Sequence, residues 1–362
     1  MQEKYGYLIN PALAFLLSLL LSGIIVALMG ENPFAVYYTF FANSLFSIRG
    51  ISYTLFYATP LIFTGLSVSL AFRSGLFNIG AEGQLYIGSI TAAVIALEMP
   101  PGTPAYVMLP LCVMGAFLAG GIWGVIPGIL KAYLGAHEVI NTIMMNFIAV
   151  AISNYLVLIP YKRKNTMLLE TDFLPESAHL PQFLEMSDTF SDFSQLNLAF
   201  ILALLACVFM YVFIWKSKQG FEIRATGSGL RAALYAGINS KHKIVLTMFI
   251  AGGIAGLVAV HEVLGFRRYY HDNFSGGIGF IGIAVALMGR NHPVGILLAA
   301  ILFGALTRGG LFMDINFDRI SSDLVILLQG LLILLISSEN IYRKSGVSIG
   351  KLFSRRKSKP SA

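Results

Sequence analysis

Residues 75–97 read GLFNIGAEGQLYIGSITAAVIAL, an apolar run whose first ten positions are broken by glycine and polar side chains. The interruptions are three glycines together with Asn78, Glu82 and Gln84. A membrane core about 30 Å thick requires roughly 20 mainly apolar residues per helix. This stretch is long enough to span it, and glycine-broken spans are typical of transport pathways. We therefore predict a membrane span that is irregular at one end.

The whole chain has the composition of a membrane protein. Hydrophobic residues make up 56% of it and charged residues 12%, with a mean hydropathy of +0.75, which excludes an ordinary soluble domain. We predict an all-α, polytopic transmembrane helical bundle of about ten spans in a single membrane domain over residues 1–362. The predicted spans are 8–29, 53–72, 75–97, 105–130, 138–160, 196–215, 244–264, 276–289, 293–308 and 321–338.

The basic residues predict the orientation of these spans. With the N-terminus in the cytoplasm, ten spans place the C-terminus there too, and most of the 25 Lys and Arg residues then lie on the cytoplasmic side. They cluster in a loop at 216–243 and a tail at 341–362. The longest outer loop is 161–195. The basic exceptions, which indicate either a misplaced span or a functional outer surface, are Lys162, Arg163, Lys164, Arg267 and Arg268.

The segment between the first two spans carries a helix signal. Asn32 is a typical N-cap and Pro33 a typical first helical residue. The apolar residues that follow share one helical face: Phe34, Tyr37, Tyr38, Phe41 and Leu45. We predict an interfacial helix on the outer surface, the alternative being a disordered aromatic loop.

Motifs for enzymatic chemistry are absent. The sequence has no HExxH, no GxSxG and no Cys/His cluster with metal-ligand spacing. A GxGxxG pattern starts at Gly277, but it lies within a predicted span, where a dinucleotide site has no place. The phosphate-loop-like residues 346–351 are followed by Leu352 where a Ser or Thr would be needed. We expect no ATPase activity, no metal and no cofactor in this chain. The net charge of +7 comes from basic residues scattered between apolar segments, which indicates a role in membrane orientation and not in nucleic-acid binding.

A second glycine-rich stretch, 276–289, corresponds to the first. Each is the third span in its half of five, and the predicted topology runs them in opposite directions. This arrangement predicts an inverted five-helix repeat, with the transport pathway at the two broken spans.

Polar residues within spans are candidates for this pathway. An intramembrane carboxylate is costly, so Glu82 is either functional or a helix-end residue bonded by backbone amides. Asn141, Thr142 and Asn146 could bind a polar solute, and Phe77 and Phe147 could stack on a planar ring, although interhelical hydrogen bonding explains each amide alone. The candidate pathway residues are Phe77, Asn78, Glu82, Gln84, Asn141, Asn146 and Phe280.

The cytoplasmic loop contains FEIRATGSGLRAALYAGIN at 221–239. Ser228 is a potential N-cap and Gly237 a potential helix end, with Leu230, Ala233 and Leu234 on one face between them. This pattern predicts a short amphipathic helix, either docking on a partner or belonging to an ordinary basic loop.

Several segments resemble the inner-membrane permease family of ABC importers for sugars, branched-chain amino acids and nucleosides. They are GLFNIGAEGQ (75–84), EVINTIMMNFIA (138–149), RATGSGLRAALYAGI (224–238), AGGIAGLVAV (251–260) and GFIGIAVALMGRNHPVG (279–295). The likeness covers about residues 8–340 and is greatest to the nucleoside branch.

The resemblance implies a bacterial cytoplasmic-membrane importer of two permease subunits and two ATPase subunits, in which the ATPase binds ATP and Mg. It also implies an extracytoplasmic substrate-binding lipoprotein, which the 161–195 loop could receive, and a nucleoside-like small molecule as substrate. The 224–238 loop would be the coupling helix on the ATPase. The residues that fall on this pattern are Arg224, Gly227, Leu230, Arg231, Ala232, Ala233 and Gly237.

Three alternatives stay open at the level of sequence. A ribose-type sugar is the second substrate class within the same family. An ion-coupled secondary transporter would use intramembrane ionisable groups, of which Glu82, Glu138 and Glu262 are the candidates. A membrane-embedded enzyme would need a nucleophile and base, for which the sequence offers no pairing.

Overall fold

The computed structural model describes residues 17–164, 166–186, 195–317, 326, 327 and 329–331. Most of these residues are helical. The α-helices are α1 Leu17–Leu28, α2 Pro33–Ser44, α3 Ile48–Arg73, α4 Ala81–Glu98, α5 Ala105–Leu134, α6 Glu138–Leu158, α7 Phe183–Met186, α8 Ala199–Lys216, α9 Lys218–Ser228, α10 Leu230–Tyr235, α11 Ser240–Gly256, α12 Ile278–Met288 and α13 Pro293–Asn316.

Two other helical forms complete the described chain. A 3₁₀ turn lies at Glu176–Ala178, and a π-helix at Val260–Arg267 continues the direction of α11. In the described ranges there is no β-strand, only isolated antiparallel bridges in the loops, such as Gln182 with Asn197. The predicted all-α class is therefore confirmed.

Six helices in the described ranges are long and apolar enough to cross a membrane, which makes the chain a multi-pass membrane protein. They are α3, α5, α6, α8, the continuous Ser240–Arg267 and α13. Helices α1 and α12 are shorter apolar helices. The number of about ten spans stays a prediction, because the predicted spans 8–29 and 321–338 lie partly outside the described residues. The predicted basic tail, 341–362, lies entirely outside them.

The chain divides into two compact units. One comprises residues 41–309 and contains α3 to α12. The described residues of the other unit are 17–40, 310–317, 326, 327 and 329–331. Within this second unit, the hydroxyl of Tyr37 donates to the carbonyl of Leu19 and lies 3.3 Å from the hydroxyl oxygen of Ser22, so α1 and the start of α2 are joined by side-chain bonds.

Burial separates central from peripheral helices in the larger unit. In the most apolar window of α3, 83% of residues are buried, against 22% in α6. Since the exposed residues of α6 are apolar, that helix has a face suited to lipid or to a second membrane subunit. Helix α11 is central and crosses α5 in backbone contact: a Cβ at Gly252 would lie 2.3 Å from the carbonyl oxygen of Gly120. This contact fixes the α5–α11 pair.

Local chemistry explains several helix ends. The amide of Phe34 donates to Oδ1 of Asn32 at 2.9 Å, so the predicted helix after Asn32 is confirmed. Ser47 caps α3 in the same manner through the amide of Gly50 at 2.9 Å. Helix α5 ends at Gly135, whose φ of +67° is left-handed and suits glycine.

Candidate functional site

The first broken span begins at Gly75, whose φ of +75° ends α3 in a conformation that favours glycine. Helix α4 starts only at Ala81, so residues 76–80 are not helical. Within this break, Nδ2 of Asn78 donates to Oε1 of Gln84 at 3.0 Å, and Nε2 of Gln84 donates back at 3.3 Å. Both side chains are fully buried. They stabilise the break by bonding to each other.

A third amide reaches the break from α6. Oδ1 of Asn146 accepts from the amide of Gly83 at 2.8 Å, and its Nδ2 donates to the carbonyl of Ile79 at 3.0 Å. The side chain thus bonds backbone on both sides of the start of α4. Its buried polar atoms are satisfied by protein, which makes Asn146 a residue that shapes the break.

Glu82, in the first turn of α4, joins the two broken spans. Its Oε2 accepts from the amide of Gly279 at 2.7 Å, and its other oxygen accepts from the hydroxyl of Ser275. Gly279 belongs to the first turn of α12. The carboxylate of Glu82 is thus bonded by a helix-end amide, and this bond is made to the other broken span.

The approach of these two helices requires glycine. A Cβ at Gly279 would stand 2.5 Å from the backbone nitrogen of Glu82 and 2.6 Å from its Cα. No side chain can occupy that position without moving one of the helices. Helices α4 and α12 therefore meet backbone to backbone.

The second broken span has its irregular part ahead of its helix, as the first does. Residues 268–277 are not in an α-helix, and α12 begins at Ile278. Gly276 and Gly277 have φ values of +53° and +86°, which glycine adopts readily. Both broken spans thus consist of an irregular segment followed by a helix, and the two helix starts meet at Glu82.

Arg73, at the end of α3, binds the loop after α12. Its Nε and Nη2 donate to the carbonyl of Asn291 at 3.1 and 2.9 Å. The guanidinium also lies over the ring of Trp215, 5.0 Å from the centroid. The end of α12 opposite Glu82 is therefore fixed to α3 and α8.

The predicted amphipathic helix in the 216–243 loop is present as α10, preceded by α9. Gly237 ends α10 with a φ of +76°, and the amide of Ile238 donates to the carbonyl of Ala233 at 3.0 Å, as predicted. The predicted N-cap was wrong. Ser228 ends α9, where its hydroxyl donates to the carbonyl of Arg224 at 2.9 Å, and Gly229 is the residue before α10.

Helix α10 presents apolar side chains to its surroundings. Leu230 and Leu234 are half exposed and Tyr235 is 95% exposed, whereas Ala233 is buried. Arg231 is exposed beside them. An exposed apolar helix face at a loop is a surface suited to a protein partner.

Helix α9 connects α10 to the first broken span. A Cβ at Gly227 would lie 2.3 Å from the carbonyl oxygen of Arg73, and a Cβ at Gly75 would lie 3.2 Å from the Cα of Gly227. On its other side, Glu222 of α9 is ion-paired with the buried Lys243 of α11 at 2.5 Å. The hydrogen bond from Lys243 lowers the pKa of Glu222. Movement of α9 would therefore act on both the first broken span and α11.

The aromatic candidates are more accessible than the buried amides. Phe77 and Phe280 are 37% and 48% exposed, and Phe147 is 67% exposed. Asn141 is partly exposed, and its Nδ2 has no hydrogen-bond partner among the described residues. The accessible aromatic rings are groups that a planar polar solute could contact, whereas the unpaired Nδ2 of Asn141 is itself buried.

The basic exceptions on the predicted outer side come together in the structure. The amide of Thr171 donates to the carbonyl of Tyr270 at 2.9 Å, which joins the 161–195 loop to the start of the second broken span. Arg163 pairs with Glu170 at 2.7 Å and lies over the ring of Phe173. Both basic clusters therefore lie at one end of the larger unit, as the predicted topology requires.

A second ion pair in the same region joins Arg268 to Glu185. Burial alone would raise the pKa of Glu185, but the hydrogen bond and charge of Arg268 and the amide of Gln182 together lower it. Two of the five basic exceptions thus have acidic partners within the fold.

Sequence reasoning missed three contributors to this site. Ser275, Arg73 and Lys243 were not singled out, although each bonds a candidate element. Lys243 lies in the polar first turn of α11 beside Lys241 and His242, so no sequence signal marked it as the buried residue of the three. Ser275 gave none, since its partner Glu82 lies 193 positions away in sequence.

Comparison with known proteins finds transport permeases in every case reported below. A family model described as "Branched-chain amino acid transport system / permease component" matches residues 50–337. The guanosine ABC transporter permease protein NupP of Bacillus subtilis is 41% identical, over 95% of this chain and 97% of its own. The nucleoside ABC transporter permease protein NupB of Lactococcus lactis is 39% identical over 85% of each chain. The glucose ABC transporter permease protein TsgB13 of Haloferax volcanii is 32% identical over 96% of this chain and 91% of its own. No solved structure matches.

Proposed function

The chain belongs to the family of permease components of branched-chain amino acid transport systems, and from this premise we propose that it is the membrane-spanning permease of an ATP-driven nucleoside importer. The substrate class is inferred from one observation: the chain is 41% identical to a guanosine permease and 39% identical to a nucleoside permease, over nearly whole chains. As a transport subunit it is not an enzyme. ATP and Mg would be bound and turned over by a partner ATPase.

We assign α10 as the element that docks on this ATPase. Its exposed Leu230, Leu234 and Tyr235 form an apolar face of the kind that seats in a partner's groove. The contact of Gly227 with the turn at Gly75 supports a coupling role, because a force on α10 reaches the first broken span through α9. The other coupling residues in this assignment are Arg224, Arg231, Ala233 and Gly237.

Alternating access would take place around the two broken spans. Helices α4 and α12 meet at Glu82 and Gly279, and each follows an irregular segment. This correspondence supports an inverted five-helix repeat within a bundle of about ten spans. Closure of the ATPase pair would move α9 and shift the bundle between outward-facing and inward-facing states.

The proposed pathway has two kinds of residue. Asn78, Glu82, Gln84 and Asn146 are buried and bonded to protein, so they would shape the breaks. The accessible rings of Phe77 and Phe280 would contact the solute, and Asn141 would join them once a change of state exposes its buried Nδ2. Stacking rings and an amide suit the neutral base and ribose of a nucleoside.

The remaining partners follow from the family. A second permease subunit, identical or related, would complete the transmembrane pair, and a substrate-binding lipoprotein would deliver the nucleoside to the outer loop at 161–195. The position of the basic 216–243 loop supports a bacterial cytoplasmic membrane location with both termini in the cytoplasm. In this assignment the whole chain is one permease domain.

A sugar is the second candidate substrate, because the Haloferax volcanii relative is a glucose permease at 32% identity. An ion-coupled transporter is not favoured. Such a transporter needs an ionisable group free to exchange its ion. Of the three candidate carboxylates, Glu82 is bonded by Ser275 and Gly279, and Glu138 is paired with Lys131 at 2.7 Å. The third, Glu262, lies 3.8 Å from Nε2 of the buried His261.

The test is to purify the tagged chain with its native partners and to measure ATP hydrolysis in the presence of the co-purified binding protein. The binding protein would be loaded in turn with guanosine, inosine, adenosine, ribose or glucose. We expect nucleosides to stimulate hydrolysis and sugars to leave it at the basal rate. Stimulation by sugars alone, or transport on an ion gradient without an ATPase, would contradict the proposal.

A further inference from the structure

The outer part of the Ser240–Arg267 helix departs from α-geometry. Residues Val260–Arg267 form a π-helix, a form that is rare and concentrated at functional sites. His261 within it is fully buried, and neither ring nitrogen has a hydrogen-bond partner among the described residues. A buried polar group without a partner is costly. The π-helix must therefore be held by contacts from elsewhere in the fold.

Those contacts come from the 161–195 loop and the residues just after it. Nε2 of Gln182 donates to the carbonyl of Gly265 at 2.8 Å. The amide of Leu180 donates to the carbonyl of Leu264 at 2.9 Å. These bonds occupy two carbonyls in the last turn of the π-helix, and they come from a segment more than 80 positions earlier in the chain.

We call the bonds from Leu180 and Gln182 to the π-helix the clamp. Asn197 adds a close contact to it. It is fully buried, forms an isolated bridge with Gln182, and its Nδ2 lies 3.4 Å from the carbonyl oxygen of His261. A Cβ at Gly265 would stand 2.4 Å from the same nitrogen. Gly265 is thus the position at which the loop and the π-helix meet most closely.

The other end of the same helix holds the α9–α10 segment. Lys243 is 5% exposed and ion-paired with Glu222 at 2.5 Å, and it also donates to the side chain of Gln219. The continuous helix Ser240–Arg267 has 28 residues, a length of about 42 Å. One helix therefore joins the outer loop to the segment assigned to ATPase docking.

We propose that Gln182 and Asn197 are positioning residues that transmit the presence of a loaded binding protein on the outer loop to the ATPase. The clamp fixes the π-helical end of the helix, so displacement of the loop displaces the helix. The close packing of α11 on α5 keeps the helix stiff, and Lys243 passes the movement to α9. This inference rests on the proposed function and adds the route by which loading of the binding protein is sensed.

The test uses the complete transporter in lipid nanodiscs with the variant Gln182→Met, which preserves side-chain length but removes the donor. Three quantities are measured: basal ATP hydrolysis, affinity for guanosine-loaded binding protein, and the factor by which that protein stimulates hydrolysis. We expect the first two to be unchanged and the stimulation factor to fall about fivefold, the order expected for one hydrogen bond. Arg49→Gln, an exposed change in the first turn of α3 and outside this loop, is the control and retains full stimulation.

Two results would overturn the inference. Full stimulation of Gln182→Met would show that the clamp transmits nothing. A loss of affinity equal to the loss of stimulation would make Gln182 part of the docking surface only. If Gln182→Met fails to assemble, Glu185→Gln loosens the exposed rim of the clamp at Arg268 and is judged by the same three quantities. Failure of the unmodified transporter to respond to any nucleoside would instead contradict the proposed function.

Discussion

The backbone amide of Gly279 lies 2.7 Å from a carboxylate oxygen of Glu82, and this bond joins the first turns of two helices that follow broken membrane segments. The hydroxyl of Ser275 occupies the other oxygen of the same carboxylate. A single side chain thus connects the elements around which we expect the permease to open and close.

Glu82→Gln tests this connection. The amide keeps the shape of the side chain but replaces a charged acceptor, whose hydrogen bonds contribute about 1.5–3 kcal/mol each, with a neutral one. We expect nucleoside uptake in proteoliposomes to fall roughly tenfold while the protein still folds. Glu98→Gln, exposed at the opposite end of α4, is the matched control. Equal uptake by the two variants would contradict the role of Glu82.

Gly279→Ala tests the backbone contact. The added Cβ would stand 2.5 Å from the nitrogen of Glu82. Overpacking of this kind costs about 1–3 kcal/mol, so we expect a clear fall in the thermal unfolding temperature of the purified chain. In Gly229→Ala the Cβ would meet only the Cβ of Ala232 at 3.8 Å, and the unfolding temperature should stay unchanged. A similar fall in both variants would be evidence against a specific contact.

Gly227→Ala tests coupling between α9 and the first broken span. Its Cβ would lie 2.3 Å from the carbonyl oxygen of Arg73, so the turn at Gly75 must shift. We expect ATP hydrolysis by the assembled transporter to continue while uptake per ATP hydrolysed falls at least about fivefold, since a displaced contact of about 1 kcal/mol or more alters populations by that factor. Gly229→Ala serves as control. An unchanged ratio in Gly227→Ala would exclude this route.

The exposed face of α10 gives a binding prediction. Exchanging both Leu234 and Tyr235 for Ala removes two exposed apolar side chains without disturbing the core. Aromatic and apolar anchors at interfaces contribute about 2 kcal/mol each when buried by a partner. We expect the amount of ATPase that co-purifies to fall at least tenfold. Tyr106→Ala, also highly exposed but at the start of α5, should retain the ATPase.

The pair of Glu222 and Lys243 predicts a pH dependence of stability. The pKa of Glu222 is lowered in the folded protein by the hydrogen bond from Lys243. Its contribution is therefore complete above the unfolded value of about 4.3 and is lost as the pH falls through the lower folded value. We expect the difference in unfolding temperature between the native chain and Glu222→Gln to be constant from pH 7 to about pH 5 and to shrink below about pH 4. A difference that grows on acidification would contradict the pairing.

Much of the fold could be predicted from sequence because the bilayer imposes one strong rule. Backbone polar groups must be satisfied internally, so long apolar runs become helices, as for α3, α5, α6 and α8. Strictly local signals also succeeded. Asn32 begins α2, and Gly237 ends α10.

The features that sequence analysis missed or predicted wrongly depend on contacts distant in sequence or on competition between neighbouring residues for the same hydrogen bond. Ser228 is a good cap by residue type, but its hydroxyl bonds the carbonyl of Arg224 and extends α9 instead. The π-helix at Val260–Arg267 has no local signature, because its carbonyls are satisfied by residues such as Gln182 from another part of the chain. The partners of Glu82 were invisible for the same reason.

The meeting of α4 and α12 at one carboxylate also determines the electric field at this junction. Each helix N-terminus carries about half a positive elementary charge from its aligned peptide dipoles, so the two together present roughly one positive charge. Glu82 lies in the first turn of one helix and is bonded to the first turn of the other, and in its ionised form it supplies one negative charge. An ionised carboxylate at this place would offset the two macrodipoles. We therefore expect this closely packed junction to serve as a contact between the two helices and not as a binding site for an ion.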